Sequence, residues 1–147
     1  MAMRVEESII LPVGCEEAWA TLLRWEEQAD WMKDADSVRV LSSMREGVGV
    51  ELAVKTRLFN VPAFTDRIEV VDWVPPRRIV VAHRRFVVGT GTWTLDPIGE
   101  DSCRFTWVED VSIPPPVVGS AASLIYRPFM RRVLRGSLKG LAGHLAR

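Results

Sequence analysis

From Val38 to Ile113 the chain runs through one short alternating apolar segment after another, with turn residues between them and no helical stretch. The segments are residues 38–44, 48–58, 64–74, 78–86, 88–96 and 103–113. Closely spaced strands without intervening helices predict an antiparallel meander. In residues 48–58, Val48, Val50, Leu52, Val54, Thr56 and Leu58 share one face, while Glu51, Lys55 and Arg57 hold the other. A strand patterned in this way has one dry face and one wet face.

The two flanks complete the architecture. Residues 3–11 alternate as a further strand, and Pro12 and Gly14 end it. Residues 16–24 predict a short helix, with Glu16 and Glu17 in the first turn and an apolar face of Ala18, Trp19, Leu22 and Leu23. A second short helix or turn continues to Trp31, and Asp34 and Asp36 mark a loop. After Pro114-Pro115-Pro116, apolar residues recur at helical spacing over residues 117–145, with Pro128 inside the run. The expectation is one α+β domain over residues 1–147: seven curved antiparallel strands around a long C-terminal helix. A helix of that length crosses such a sheet without packing shut along all of it, and the gap left is an apolar cavity.

Composition narrows the function classes. At 48% apolar residues the chain can close a sizeable core. No run of about 18 apolar residues is present to span a membrane, and the first residues lack the order of a signal peptide, so a cytoplasmic protein is expected. Net charge is zero, which implies no general attraction to nucleic acid. The charge is unevenly spread: residues 1–37 carry nine acids against three bases, and residues 114–147 carry six bases and no acid. The ends either attract one another or form separate solvated faces. Arg127, Arg131, Arg135 and Lys139 recur every four residues as one stripe. It is either a solvated outer face or, with Arg132, a patch for weak contact with anionic lipid or a carrier protein. Cys15 and Cys103 make neither a disulfide framework nor a zinc site. No metal site, nucleotide loop or other cofactor site is expected, and the chain is either a monomer or a homodimer.

The element order and several local signatures resemble the START-like (SRPBCC) superfamily, whose members share a helix-grip fold. The signatures are Glu16-Glu17-Ala18-Trp19, Trp31, Pro75-Pro76-Arg77-Arg78, Trp93 and Thr106-Trp107. Val54-Lys55-Thr56-Arg57, Ala82-His83-Arg84 and Trp107-Val108-Glu109 are similar to segments of the polyketide cyclase/dehydrase group, which includes the aromatase/cyclases. The chain departs from the aromatase/cyclases near residues 64–74, where no tryptophan pair appears, and at Ala35 and Val38, which stand where they carry cavity aromatics.

Two residues are expected to carry chemistry. Arg84 shares parity with Val80, Ala82 and Phe86, which suggests an inward face, and the resemblance implies a cavity arginine there. Glu109 is the single charge in the row Cys103, Phe105, Trp107, Val111 and Ile113. A desolvated carboxyl of this kind can serve as acid or base, while a neighbouring cation would hold it ionised. Asp66, in parity with Phe64, Ile68 and Val70, is a third polar candidate, with the opposite parity left open. Leu52, Val54, Phe64 and Phe86 are expected to line the cavity with Trp31, Trp93 and Trp107, and the resemblance implies Ser137 as a polar helix residue facing it. His83 takes the outward parity if Arg84 points inward. Three functions fit: a cyclase/aromatase-like enzyme, a non-catalytic carrier or sensor of a lipid, quinone or polyketide, and, more weakly, a protein-binding adaptor.

Overall fold

The computed structural model describes residues 2–58, 61–84, 87–112 and 120–146, without the side chains of 2, 58 and 120–125. Strand β1 (Ala2–Leu11) is followed by α1 (Cys15–Leu22) and a 3₁₀ helix (Trp25–Asp30). Six more strands follow: β2 (Ala35–Val40), β3 (Glu51–Leu58), β4 (Val61–Val74), β5 (Arg78–Arg84), β6 (Val88–Gly99) and β7 (Ser102–Ser112). The chain then enters α2 (Ser120–Leu145), which continues through Pro128. The strands form one antiparallel sheet in the order β1-β7-β6-β5-β4-β3-β2. This is the α+β helix-grip arrangement expected from the sequence. Residues 114–119, and with them the proline run, lie outside the described residues.

One boundary differs in an informative way. The alternation beginning at Val48 predicts a strand from there, yet β3 starts at Glu51. Gly47 and Gly49 adopt φ of +93° and +104°, a left-handed backbone that breaks the ladder and is open chiefly to glycine. Val48, between them, is exposed despite its apolar character.

The core lies between the concave sheet face and the helices. Val5, Leu11, Val70, Leu95 and Phe105 project from the sheet, and Leu134, Leu138 and Leu141 from the last half of α2. These helix residues lie three to four apart, so they form one apolar stripe. Gly140 allows the close approach: a Cβ there would stand 2.5 Å from the carbonyl oxygen of Trp31. Ser137 belongs to the same seam. It is fully buried, and its hydroxyl accepts a hydrogen bond from the Lys33 backbone N–H at 2.9 Å.

Charge also ties the ends of the chain. Glu7 on β1 accepts Arg135 at 2.9 Å and pairs with Arg131 at 3.4 Å. Two members of the basic stripe are therefore engaged with the acid-rich first segment, whereas Arg127 and Lys139 are exposed. Among the described residues no helix is long and apolar enough to cross a membrane.

Candidate functional site

The last half of α2 seals the sheet, but its first half covers a space. A cavity of about 110 Å³ lies there, with Tyr126, Phe129 and Met130 of α2 in its wall. Most of the opposite wall is apolar, with Leu52 and Val54 from β3, Phe64 from β4, Val81 from β5 and Trp93 and Trp107 from β6 and β7. Asp34, Asp66, His83 and Glu109 interrupt it, and Tyr126 adds a phenol from α2. Arg57 stands in the wall as well, where its guanidinium is bound to Asp36.

Three adjacent elements bring the central group together. Asp66 on β4 faces inward with Ile68 and Val70, and Arg67 faces outward towards Glu51. Glu109 on β7 is buried in the row of Phe105, Trp107 and Val111. On β5 the inward side chains are Ile79, Val81 and His83. This corrects the expectation for Arg84, whose side chain is 61% exposed and lies 3.6 Å from Glu69 on the outer face. The alternation of β5 could not decide the matter, because Val80 and Ala82 are as apolar as Ile79 and Val81. Partners on both faces fit the observed parity: the imidazole meets two carboxylates inside, and the guanidinium meets Glu69 outside.

His83 bridges those carboxylates. Its Nδ1 lies 2.8 Å from Asp66 Oδ2, and its Nε2 lies 3.1 Å from Glu109 Oε2. The remaining oxygens are also bonded: Asp66 Oδ1 accepts the Arg67 backbone N–H at 2.9 Å, and Glu109 Oε1 accepts Trp107 Nε1–H at 2.8 Å. With an acceptor at each ring nitrogen, the imidazole is held in its doubly protonated form. Burial acts against that charge, but the hydrogen bonds and charges of Asp66 and Glu109 outweigh it and raise the pKa to about 10. Strand β6 lies between β5 and β7, and Gly91 clears the path. A Cβ there would come within 3.0 Å of Glu109 Oε1 and 3.3 Å of Val81 Cγ2.

Asp34, in the loop entering β2, is placed differently. It forms no ion pair or hydrogen bond to another side chain among the described residues, and its carboxyl interacts with its own backbone amide. Burial and then the charge of Glu109 raise its pKa to about 6. Tyr126 is pushed up to about 12 by burial and by Glu109, Asp34 and Asp66, so its phenol stays a neutral donor. Among the described residues no three His, Cys, Asp or Glu side chains are grouped to hold a metal ion.

Of the residues named from the sequence, Leu52, Val54, Phe64, Asp66, Trp93, Trp107 and Glu109 are in the cavity wall. Trp31 is not. It is buried behind the wall with its ring 5.9 Å from that of Trp93. Ser137 lies in the helix seam, and Phe86 falls outside the described residues. Sequence reasoning missed Asp34, His83 and Tyr126. The apolar company of His83 on its own parity was the available signal for it. Asp34 left none, because a loop residue has no periodicity to orient it.

Comparison with known proteins agrees with this fold. A protein of Thermus thermophilus superposes with a TM-score of 0.82 at 19% identity, covering 98% of this chain and 97% of its own. The Zhui aromatase/cyclase of a Streptomyces species gives 0.79 at 14% identity, covering 100% and 95%. A START superfamily protein of Mycobacterium smegmatis gives 0.79 at 15% identity, covering 97% of each chain. At these identities the likeness is one of fold. Among curated proteins none matches the chain in sequence. The family described as polyketide cyclase / dehydrase and lipid transport matches residues 2–146. With a match of that extent on a sheet gripping a helix over a cavity, the chain belongs to this polyketide cyclase/dehydrase and lipid transport family.

Proposed function

We propose that the chain binds a hydrophobic small molecule of the polyketide class beneath α2 and moves protons on it, as a cyclase or dehydratase does. The observation that supports this is an imidazolium fixed between two carboxylates in a largely apolar cavity, beside two polar groups, Asp34 and Tyr126, with no side-chain hydrogen-bond partner among the described residues. Ring closure between carbons of a poly-ketone needs a base to take an α-hydrogen. It also needs a donor for the oxygen that becomes negative and, where water is lost, an acid for the leaving hydroxyl. Asp34, with a pKa of about 6, is mostly a base at neutral pH and retains a proton part of the time. Tyr126 donates to the carbonyl oxygen. That hydrogen bond stabilises the negative charge that develops on the oxygen. Asp66 and Glu109 are engaged with the His83 imidazolium, so Glu109 takes no proton in this scheme. The apolar walls fold the chain and bring the reacting carbons together.

The test is conversion of a polyketide mimic bearing a 1,3-diketone, followed by mass spectrometry. Asp34→Asn should lower kcat by about 10²–10⁴, the usual range for losing a general acid–base group, and Tyr126→Phe should lower it less. No turnover of any such mimic, or turnover unchanged in both variants, refutes catalysis. Non-catalytic carriage is favoured by one specific observation: both His83 nitrogens and all four oxygens of Asp66 and Glu109 already have protein partners. A lipid, quinone or polyketide released unchanged in native mass spectrometry would establish that reading instead.

A further inference from the structure

We infer that the cavity selects hydrophobic ligands that carry a protonated amine, with the nitrogen seated at Asp34. The inference rests on the reading that the cavity is the ligand site and is independent of any chemistry there. The argument is one of charge. Among the described residues in the wall, Asp34, Asp66 and Glu109 are acids, and His83 and Arg57 are cations. Arg57 is bound by Asp36, outside the acid group, which leaves His83 alone to balance three carboxylates. His83 is spent on Asp66 and Glu109. The uncompensated carboxyl is therefore Asp34, which has no ion-pair partner among the described residues.

A part-buried carboxylate without a counter-charge is costly, and either of two events relieves it: uptake of a proton or arrival of a cation. The pKa of Asp34, raised to about 6, reflects the first. A ligand ammonium supplies the second. Folding has already desolvated the carboxylate, so the ligand adds only the desolvation of its own charge. The wall favours the same partner, because it also holds the indole rings of Trp93 and Trp107, and aromatic faces attract cations. A ligand carboxylate would meet the opposite field and be excluded.

The experiment compares three ligands of one shape by calorimetry at pH 7.5: 2-naphthylmethylamine, 2-naphthalenemethanol and 2-naphthoic acid. The amine is expected to bind at least 10-fold tighter than the alcohol, and the acid weaker than both. In Asp34→Asn the amine should fall to within about 3-fold of the alcohol, whose own affinity changes little. Equal affinity of amine and alcohol in the wild type, or a preference that survives Asp34→Asn in folded protein, overturns the inference and leaves the cavity reading standing. Binding of none of the three overturns both. The wild-type comparison decides the matter even if the variant does not fold.

Discussion

Replacing His83 with glutamine removes a buried cation and leaves Asp66 and Glu109 facing one another with a neutral amide between them. Folding raises the imidazole pKa from 6.5 to about 10. At about 1.4 kcal/mol per pH unit, this corresponds to on the order of 5 kcal/mol of stabilisation. The figure agrees with the roughly 3–5 kcal/mol lost when one partner of a buried ion pair is deleted. The pH dependence follows from the sign. A group whose folded pKa is raised contributes fully below its unfolded pKa, and the contribution is lost as pH rises through the folded value. The wild type should therefore lose about 1.4 kcal/mol per pH unit from this group between roughly pH 7 and 10. Asp34 titrates from 3.8 to about 6, below that window. Urea unfolding followed by tryptophan fluorescence should show His83→Gln less stable by about 3–5 kcal/mol at pH 6.5, the gap closing to about 1 kcal/mol or less near pH 10. A gap constant across that range, or below about 1 kcal/mol at pH 6.5, would refute the doubly bonded imidazolium.

Other consequences can be checked in the same way. Gly140→Ala, which drives a Cβ against the Trp31 carbonyl, should cost about 1–3 kcal/mol. Gly143→Ala, with nothing within 4 Å, should be neutral or stabilise by up to about 1 kcal/mol; equal melting curves for the two would contradict the packing of α2. Arg84→Ala should change stability by no more than about 0.5 kcal/mol and leave naphthyl-ligand affinity intact; a large loss of affinity would restore the arginine to the cavity. Burial, and then the neighbouring Cys15 thiol, pushes the Cys103 thiol up to about 12. Iodoacetamide at pH 8 should therefore modify Cys103 at least 100-fold more slowly in folded than in urea-unfolded protein, and comparable rates would contradict its burial.

The fold was legible because its signals are periodic and mutually consistent. One row of β7 carries a lone acid among apolar residues, which oriented Glu109 without ambiguity. The same logic failed on β5, where both faces read apolar and Arg84 and His83 compete for the inside. That choice depends on partners from β4 and β7, which sit far away in sequence. Asp34 and Tyr126 enter the cavity through a loop and the first half of α2, so only the tertiary arrangement reveals them. Ser137 and Trp31 show the converse: both are buried as their surroundings suggest, but the close seam at Gly140 uses them for packing.

A crystal structure of the protein soaked with 2-naphthol tests the central claim most directly. The naphthyl ring should lie between α2 and the sheet, in contact with Trp93 and Trp107, with the His83 ring within hydrogen-bonding distance of both Asp66 and Glu109. Naphthol bound only on the exterior, or side chains filling the space beneath Tyr126 and Phe129, would contradict the account.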